Sequence, residues 1–118
     1  MNADYLDEMK RLSTLLDDAL AYLRRQTVEL ADAENAYRKA RAEAWLGVPD
    51  ATAKQKEDHV NAVTADERTR RDLAEGMRQG ALEAVRSRRT QISALQSLLN
   101  ADRAEFELGR YGPPGEAA

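Results

Sequence analysis

The chain has 118 residues and a formal net charge of -3, and 42% of its residues are hydrophobic, 33% charged and 5% aromatic. So few aromatic residues cannot fill a thick globular core, and the lack of Cys excludes disulfides, thiol nucleophiles and cysteine metal sites. The negative charge argues against general electrostatic affinity for nucleic acid. We therefore expect one small, helix-rich domain that is elongated or oligomeric.

The acidic N-terminus has no apolar core of a signal peptide, and no run of 18 apolar residues occurs in the sequence. The absence of Cys also fits a reducing compartment. These features predict a cytoplasmic protein with no membrane partner.

The first predicted helix covers about residues 4–46, where apolar positions recur at alternating steps of 3 and 4 for more than five heptads. This spacing is typical of a coiled-coil seam. The seam contains one polar residue, Gln26, which is either a tolerated break or a residue that fixes register by an interhelical hydrogen bond. The predicted seam consists of Tyr5, Met9, Leu12, Leu16, Ala19, Leu23, Gln26, Leu30, Ala33, Tyr37, Ala40 and Ala44.

A turn is predicted at residues 47–51. Gly47 suits a left-handed C-cap, and Pro49 prevents simple continuation of the helix. Thr52 and Gln55 have the spacing of a capping box, which starts a new helix. So short a connection predicts an antiparallel hairpin.

The second predicted helix covers about residues 52–109 and completes a hairpin domain over residues 1–110, followed by a flexible tail at 111–118. Its apolar spacing is less regular, with an apparent stutter at Arg88. Gly76 and Gly80 predict a bend or a close helix contact.

The two predicted helices differ in length, at about 64 Å and about 87 Å for a rise of 1.5 Å per residue. If they pair outward from the turn, Met9 lies opposite residue 89 and the end of the second helix has no partner within the chain. Because apolar surface of this kind rarely stays in water, we expect a homodimer or a higher homo-oligomer. The predicted interface consists of Ile92, Leu95, Leu98, Leu99 and Phe106.

Residues 68–89 contain seven Arg and three acidic residues, a local charge of +4. The arginines either pair with the acidic first helix and solvate the flanks of the coiled coil, or form a face that binds a phosphate backbone. Tyr37, Arg38, Lys39 and Arg41 either extend such a face or complete a packed helix end. The candidate nucleic-acid-binding residues are Arg68, Arg70, Arg71, Arg78, Arg86, Arg88 and Arg89.

No catalytic or metal-binding motif is found in the sequence. His59 is the only His and lacks a ligand at metal-binding spacing, and no GxSxG, P-loop or glycine-rich phosphate cradle occurs. The sequence therefore predicts a protein that is not an enzyme and that needs no cofactor or metal.

Two resemblances extend this reading. Trp45-Leu46-Gly47, in a turn between helices, resembles the Trp-x-Gly signature of helical hairpins exported by type VII secretion systems, although Glu116 lies one residue too far from Tyr111 for their export motif. The blocks ADAENAYRKARAEAW, residues 31–45, and EAVRSRRTQISALQSLLNADRAEFELGRYGP, residues 83–113, are similar to small helical proteins of actinobacterial bacteriophages. The second resemblance implies a phage or prophage origin and transfers no site residues.

The sequence thus predicts a non-enzymatic coiled-coil interaction or assembly protein that acts as an accessory factor in phage DNA transactions. One alternative is a nucleic-acid-binding protein of phage DNA metabolism or recombination that uses the arginine-rich face. The others are a component of the phage particle and a hairpin secreted by a type VII system.

Overall fold

The computed structural model describes residues 2–48 and 50–111, which form three α-helices and no strand. The helices are α1 (Asn2–Leu46), α2 (Ala53–Val63) and α3 (Ala65–Tyr111). The predicted all-α fold is confirmed. Pro49 and residues 112–118 of the predicted tail lie outside the described residues. None of the described helices is both long enough and apolar enough to cross a bilayer.

The chain divides into two compact units. The terminal unit comprises Met1–Asp18 and Ala84–Ala118, and the turn unit comprises Ala19–Glu83. Helix α1 contributes its beginning to the terminal unit and its remainder to the turn unit, and α3 is likewise shared between them.

The predicted seam of α1 is the packed face of the helix. All twelve of its residues are buried or half-buried. Gln26 is half-buried, and its side chain forms no hydrogen bond to another described residue, so this structure gives no support to a register-fixing bond. The alternation of 3 and 4 therefore identified the correct face of this helix.

Contacts within the turn unit run in antiparallel order. Arg41 bonds to Asn61, and Tyr37, one turn earlier on α1, is covered by Arg71, which comes later in the chain. The antiparallel helical hairpin is therefore confirmed. Four positions separate the two α1 residues, whereas ten separate their partners. Tyr37 is therefore covered by a residue that comes later in the chain than simple pairing from the turn predicts.

In the turn between α1 and α2, the start of α2 was predicted correctly and the end of α1 was not. The capping box is confirmed, because the Gln55 N–H donates to the Thr52 hydroxyl at 3.2 Å and the Thr52 N–H donates to the Gln55 side chain at 3.1 Å. The predicted left-handed C-cap at Gly47 is wrong, since its φ lies outside the left-handed region. Its N–H instead donates to the carbonyls of Glu43 and Ala44, which completes an ordinary helical turn.

The prediction of one helix over residues 52–109 is wrong, because the second arm is interrupted at Thr64. Thr64 has φ -108° and ψ 16° and is only 2% exposed. Its hydroxyl donates to the Val60 carbonyl, which also accepts the Thr64 N–H at 3.0 Å. Such back-bonding by Thr bends helices. The sequence carries a signal for this break, since Thr64 and Glu67 have capping-box spacing.

The packed seam of the second arm also repeats at steps of 3 and 4, without a stutter at Arg88. Several residues of this seam are polar. Apolar spacing alone therefore predicted the packed face of the second arm only in part. Leu73 is 67% exposed and Met77 is also exposed, although both were expected on the seam. The buried or half-buried seam consists of Val60, Thr64, Glu67, Arg71, Ala74, Arg78, Ala81, Val85, Arg88, Ile92, Leu95, Leu99 and Asp102.

The two glycines of α3 mark neither an interruption of the helix nor a close helix contact. Helix α3 continues through Gly76 and Gly80, and a Cβ added at either residue meets no atom within 4 Å. The predicted close contact is therefore wrong, and the alternative of a bend stays a prediction.

Candidate functional site

Part of the predicted oligomer interface is covered within the chain itself. Leu95 is buried and lines a groove of the terminal unit together with Leu12 of α1. Ile92 and Leu99 are half-buried on the same seam. The expectation that these side chains lack a partner within the chain is therefore wrong. The reason is the register, since Leu12 lies beside residues 91–98, several positions later than predicted.

Other apolar side chains of the terminal unit remain on the surface. Leu98 is 55% exposed at the edge of the groove, and Phe106 is 69% exposed. Leu108, which the prediction did not include, is also largely exposed. The groove has a volume of about 260 Å³. Its lining consists of Glu8, Leu12, Gln91, Ala94, Leu95 and Leu98.

The charges of α3 are unevenly distributed within the terminal unit. The arginines are concentrated before Leu98, whereas the acidic residues follow it. Leu98 lies midway in sequence between Arg89 and Glu107. The basic group consists of Arg86, Arg88 and Arg89, and the later group consists of Asp102, Glu105 and Glu107 together with Arg103 and Arg110, a net charge of -1.

The seven candidate nucleic-acid-binding arginines do not form one face. Three of them are half-buried seam residues, and four are exposed. Neighbours such as Arg70 and Arg71 point in directions about 100° apart, because a helix has 3.6 residues per turn. Binding of nucleic acid stays a prediction. The seam residues are Arg71, Arg78 and Arg88, and the exposed ones are Arg68, Arg70, Arg86 and Arg89.

One seam arginine joins two arginines of α1 around an aromatic ring. Tyr37 is buried, and the guanidinium carbons of Arg71 and Arg41 lie 4.6 Å and 5.7 Å from its ring centroid. We call the adjoining space, about 270 Å³ in volume, the Tyr37 recess. It is lined by Glu34, Tyr37, Arg38, Arg41 and Arg71.

Hydrogen bonds fix two of these guanidinium groups. Arg41 Nη1 donates to Asn61 Oδ1 at 2.9 Å and to the Tyr37 hydroxyl at 3.3 Å. Arg71 donates from Nε and Nη2 to Asp72 Oδ1, at 3.1 Å and 2.8 Å. The hydrogen bond to Asp72 raises the pKa of Arg71 above its usual range, and nearby negative charge adds to the effect. Both groups are therefore held in place as cations.

The sequence suggested that Tyr37, Arg38 and Arg41 either extend the arginine-rich region or complete a packed helix end. The convergence with Arg71 was missed, because apolar spacing did not identify Arg71 as a seam position. The signal was available in the spacing of 3 and 4 from Thr64 through Glu67 to Arg71.

A second groove of the turn unit, about 370 Å³ in volume, contains Gln26 and the exposed Leu73 and Met77. The other residues that line this groove are Arg25, Glu29, Ala33, Arg70 and Ala74.

Elsewhere in the turn unit, Glu67 Oε2 is closed to solvent and has no hydrogen-bond partner among the described residues.

Two further residues singled out in the sequence have ordinary surroundings. Lys56 Nζ lies 5.4 Å from the ring centroid of Trp45, the residue of the Trp-x-Gly resemblance. His59 is exposed, as expected. Within residues 2–48 and 50–111, no group of three or more His, Cys, Asp or Glu side chains is placed to hold a metal ion.

No protein-family model matches this chain, and neither the curated proteins nor the solved structures provide a match.

Proposed function

We propose that the protein is a non-enzymatic assembly module whose terminal unit pairs with the terminal unit of a second copy. The observation that carries this proposal is the exposure of Leu98, Phe106 and Leu108 in one unit. Large apolar side chains of this kind gain free energy when an interface removes them from water.

The charge distribution of α3 favours a second copy as the partner. In an antiparallel pair with a two-fold axis beside Leu98, residues 86–94 of each copy, with a net charge of +3, lie beside residues 102–110 of the other, with a net charge of -1. The same operation places the two Leu98 side chains together. An isologous interface of this kind brings segments of opposite net charge side by side.

The biological setting is part of the same proposal. The similarity of residues 31–45 and 83–113 to helical proteins of actinobacterial phages supports an accessory role in phage DNA transactions in the host cytoplasm. Self-assembly supplies such a factor with repeated surfaces for its partners.

Light scattering across protein concentration tests the pairing. We expect the molar mass to rise from 13.2 kDa for one chain to twice that value. Leu98→Gln combined with Phe106→Gln is expected to weaken pairing by about a hundredfold or more, since each buried side chain contributes roughly 2 kcal/mol. Val28→Gln is the control, because Val28 is similarly exposed but belongs to the turn unit. A mass that stays at one chain throughout contradicts the proposal.

Disulfide cross-linking tests the arrangement about Leu98 specifically. Leu98→Cys is expected to give a disulfide-linked dimer under mild oxidation, because a two-fold axis beside Leu98 places the two side chains together and the chain has no other Cys. Val28→Cys, at a similarly exposed residue of the turn unit, is the control. Failure of Leu98→Cys to cross-link more readily than the control excludes pairing about Leu98.

A further inference from the structure

We infer that the Tyr37 recess binds a single phosphate group. Arg38, Arg41 and Arg71 line it together with only one carboxylate, that of Glu34. The charged lining residues carry a net charge of +2, and the Asp72 carboxylate paired with Arg71 reduces the local charge to +1. Three guanidinium groups on one small recess match the chemistry of an oxyanion, because Arg donors pair with phosphate in fixed planar geometry.

The site is organised before any ligand arrives. The buried Tyr37 ring supports the guanidinium groups of Arg41 and Arg71 on its faces, within 5.7 Å of its centroid. Asn61 and Asp72 hold the same two groups from the side by hydrogen bonds. Rotamers that are already ordered reduce the entropic cost of binding.

Donors remain free after these internal bonds are made. A guanidinium group has five N–H donors, and Arg41 uses only Nη1 while Arg71 uses Nε and Nη2. Arg38 donates to no side chain among the described residues. The unused donors of the three side chains are sufficient to bond several oxygens of one phosphate group.

The neighbouring carboxylates offset the positive charge of the recess only in part. Glu34 forms no ion pair within 4 Å with any of the three arginines, and Asp72 pairs with Arg71 alone. Arg38 and Arg41 therefore have no carboxylate within 4 Å among the described residues. Cations that converge repel each other, and a bound phosphate relieves that repulsion.

The arrangement favours one anion over a nucleic-acid backbone. A strand presents a line of phosphates and requires an aligned track of cations. Arg68 and Arg70, in the same unit, are exposed but do not line the recess. This inference goes beyond the assembly function, because the recess lies wholly within the turn unit and needs no second copy.

Titration calorimetry with inorganic phosphate, at ionic strength held constant with sodium chloride, tests the inference. We expect saturable binding at one site per chain and a rise in melting temperature with phosphate concentration. Arg38→Gln is expected to weaken binding about tenfold or more, since a charge-assisted hydrogen bond is lost. Arg38 is exposed, so this variant keeps the fold. Arg24→Gln, an exposed arginine of α1 outside the recess, is the control and is expected to bind as wild type.

A nucleoside monophosphate and a single-stranded oligonucleotide form two further arms of the experiment. Binding of the monophosphate with the same dependence on Arg38 supports a site for one phosphate group. Absence of saturable phosphate binding overturns the inference. Equal weakening by Arg38→Gln and Arg24→Gln also overturns it. Oligonucleotide binding without phosphate binding overturns it as well, in favour of a nucleic-acid surface.

Discussion

The two units use the same spacing of 3 and 4 but fill it with different chemistry. In the terminal unit, the most buried seam residues of the two arms are Leu12, Val85 and Leu95. In the turn unit, the seam includes the buried Thr64 and places Arg71 on Tyr37. Both units leave large apolar side chains on their surfaces, but the turn unit also gathers three arginines around one recess. Heptad spacing therefore determines which residues pack, and their chemistry determines what the remaining surface binds.

The difference also concerns what stabilises each unit. Apolar seam residues contribute in proportion to the area they remove from water. Polar seam residues contribute only when their hydrogen-bonding groups are satisfied, as the Thr64 hydroxyl is by the Val60 carbonyl. The contributions of apolar and polar seam residues to the free energy of unfolding can be separated by substitutions at buried and exposed residues of the same type.

The largest effect is expected from truncation in the terminal unit. Leu12→Ala removes a buried side chain and is expected to lower the free energy of unfolding by about 3 kcal/mol. Leu6→Ala in the same unit is the control, because Leu6 is exposed and its loss is expected to cost much less. Urea unfolding followed by circular dichroism measures both. Equal costs for the two variants contradict the assignment of an apolar core to this unit.

A gain of stability is expected from the glycines of the turn unit. Gly76→Ala and Gly80→Ala together are expected to raise the free energy of unfolding by about 2 kcal/mol, since each Gly in a helix interior costs about 1 kcal/mol relative to Ala. Both positions have open space for a Cβ. The melting temperature measures the gain. A loss of stability instead shows that these glycines serve the bend or contact that the sequence suggested.

The first helix was predictable because its seam is almost wholly apolar. From Tyr5 to Ala44, all seam residues except Gln26 are apolar or aromatic, so hydrophobic spacing and the packed face coincide. The capping box at Thr52 was predictable because it depends on local hydrogen bonds. Local chemistry and regular apolar spacing are the two signals that a single sequence carries directly.

The second arm was less predictable because polar residues occupy packed positions. Arg71 and Glu67 lie on its seam, while Leu73 lies largely in water, so apolar spacing indicated the wrong side. The register of the terminal unit also differs from simple pairing from the turn, since it places Leu95 beside Leu12 instead of beyond the first helix. The Tyr37 recess depends on this register and was therefore only partly visible in the sequence.

The break itself can be tested by replacing a hydroxyl with a methyl group. Thr64→Val keeps the volume and removes the bond to Val60, so it is expected to cost about 1 kcal/mol of unfolding free energy. Thr27→Val is a matched control, since the exposed Thr27 hydroxyl makes the same kind of bond to the Leu23 carbonyl. Water replaces that bond, so little change is expected. If Thr64→Val stabilises the protein, hydrogen bonding does not support the seam of the turn unit.

The smallest effect concerns pH and belongs to the terminal unit. The hydrogen bond from Arg11 holds the pKa of Glu8 below its usual range. Because the folded state favours the carboxylate, this group stabilises the protein above its unfolded pKa, and the contribution is lost as pH falls through the folded pKa. Both side chains are exposed, so the effect is small and is weakened by salt. Glu8→Gln is thus expected to lower the melting temperature slightly at neutral pH and not at acidic pH. If the melting temperatures of Glu8→Gln and wild type differ equally at neutral and acidic pH, the effect arises from packing in the groove beside Leu12 and not from charge.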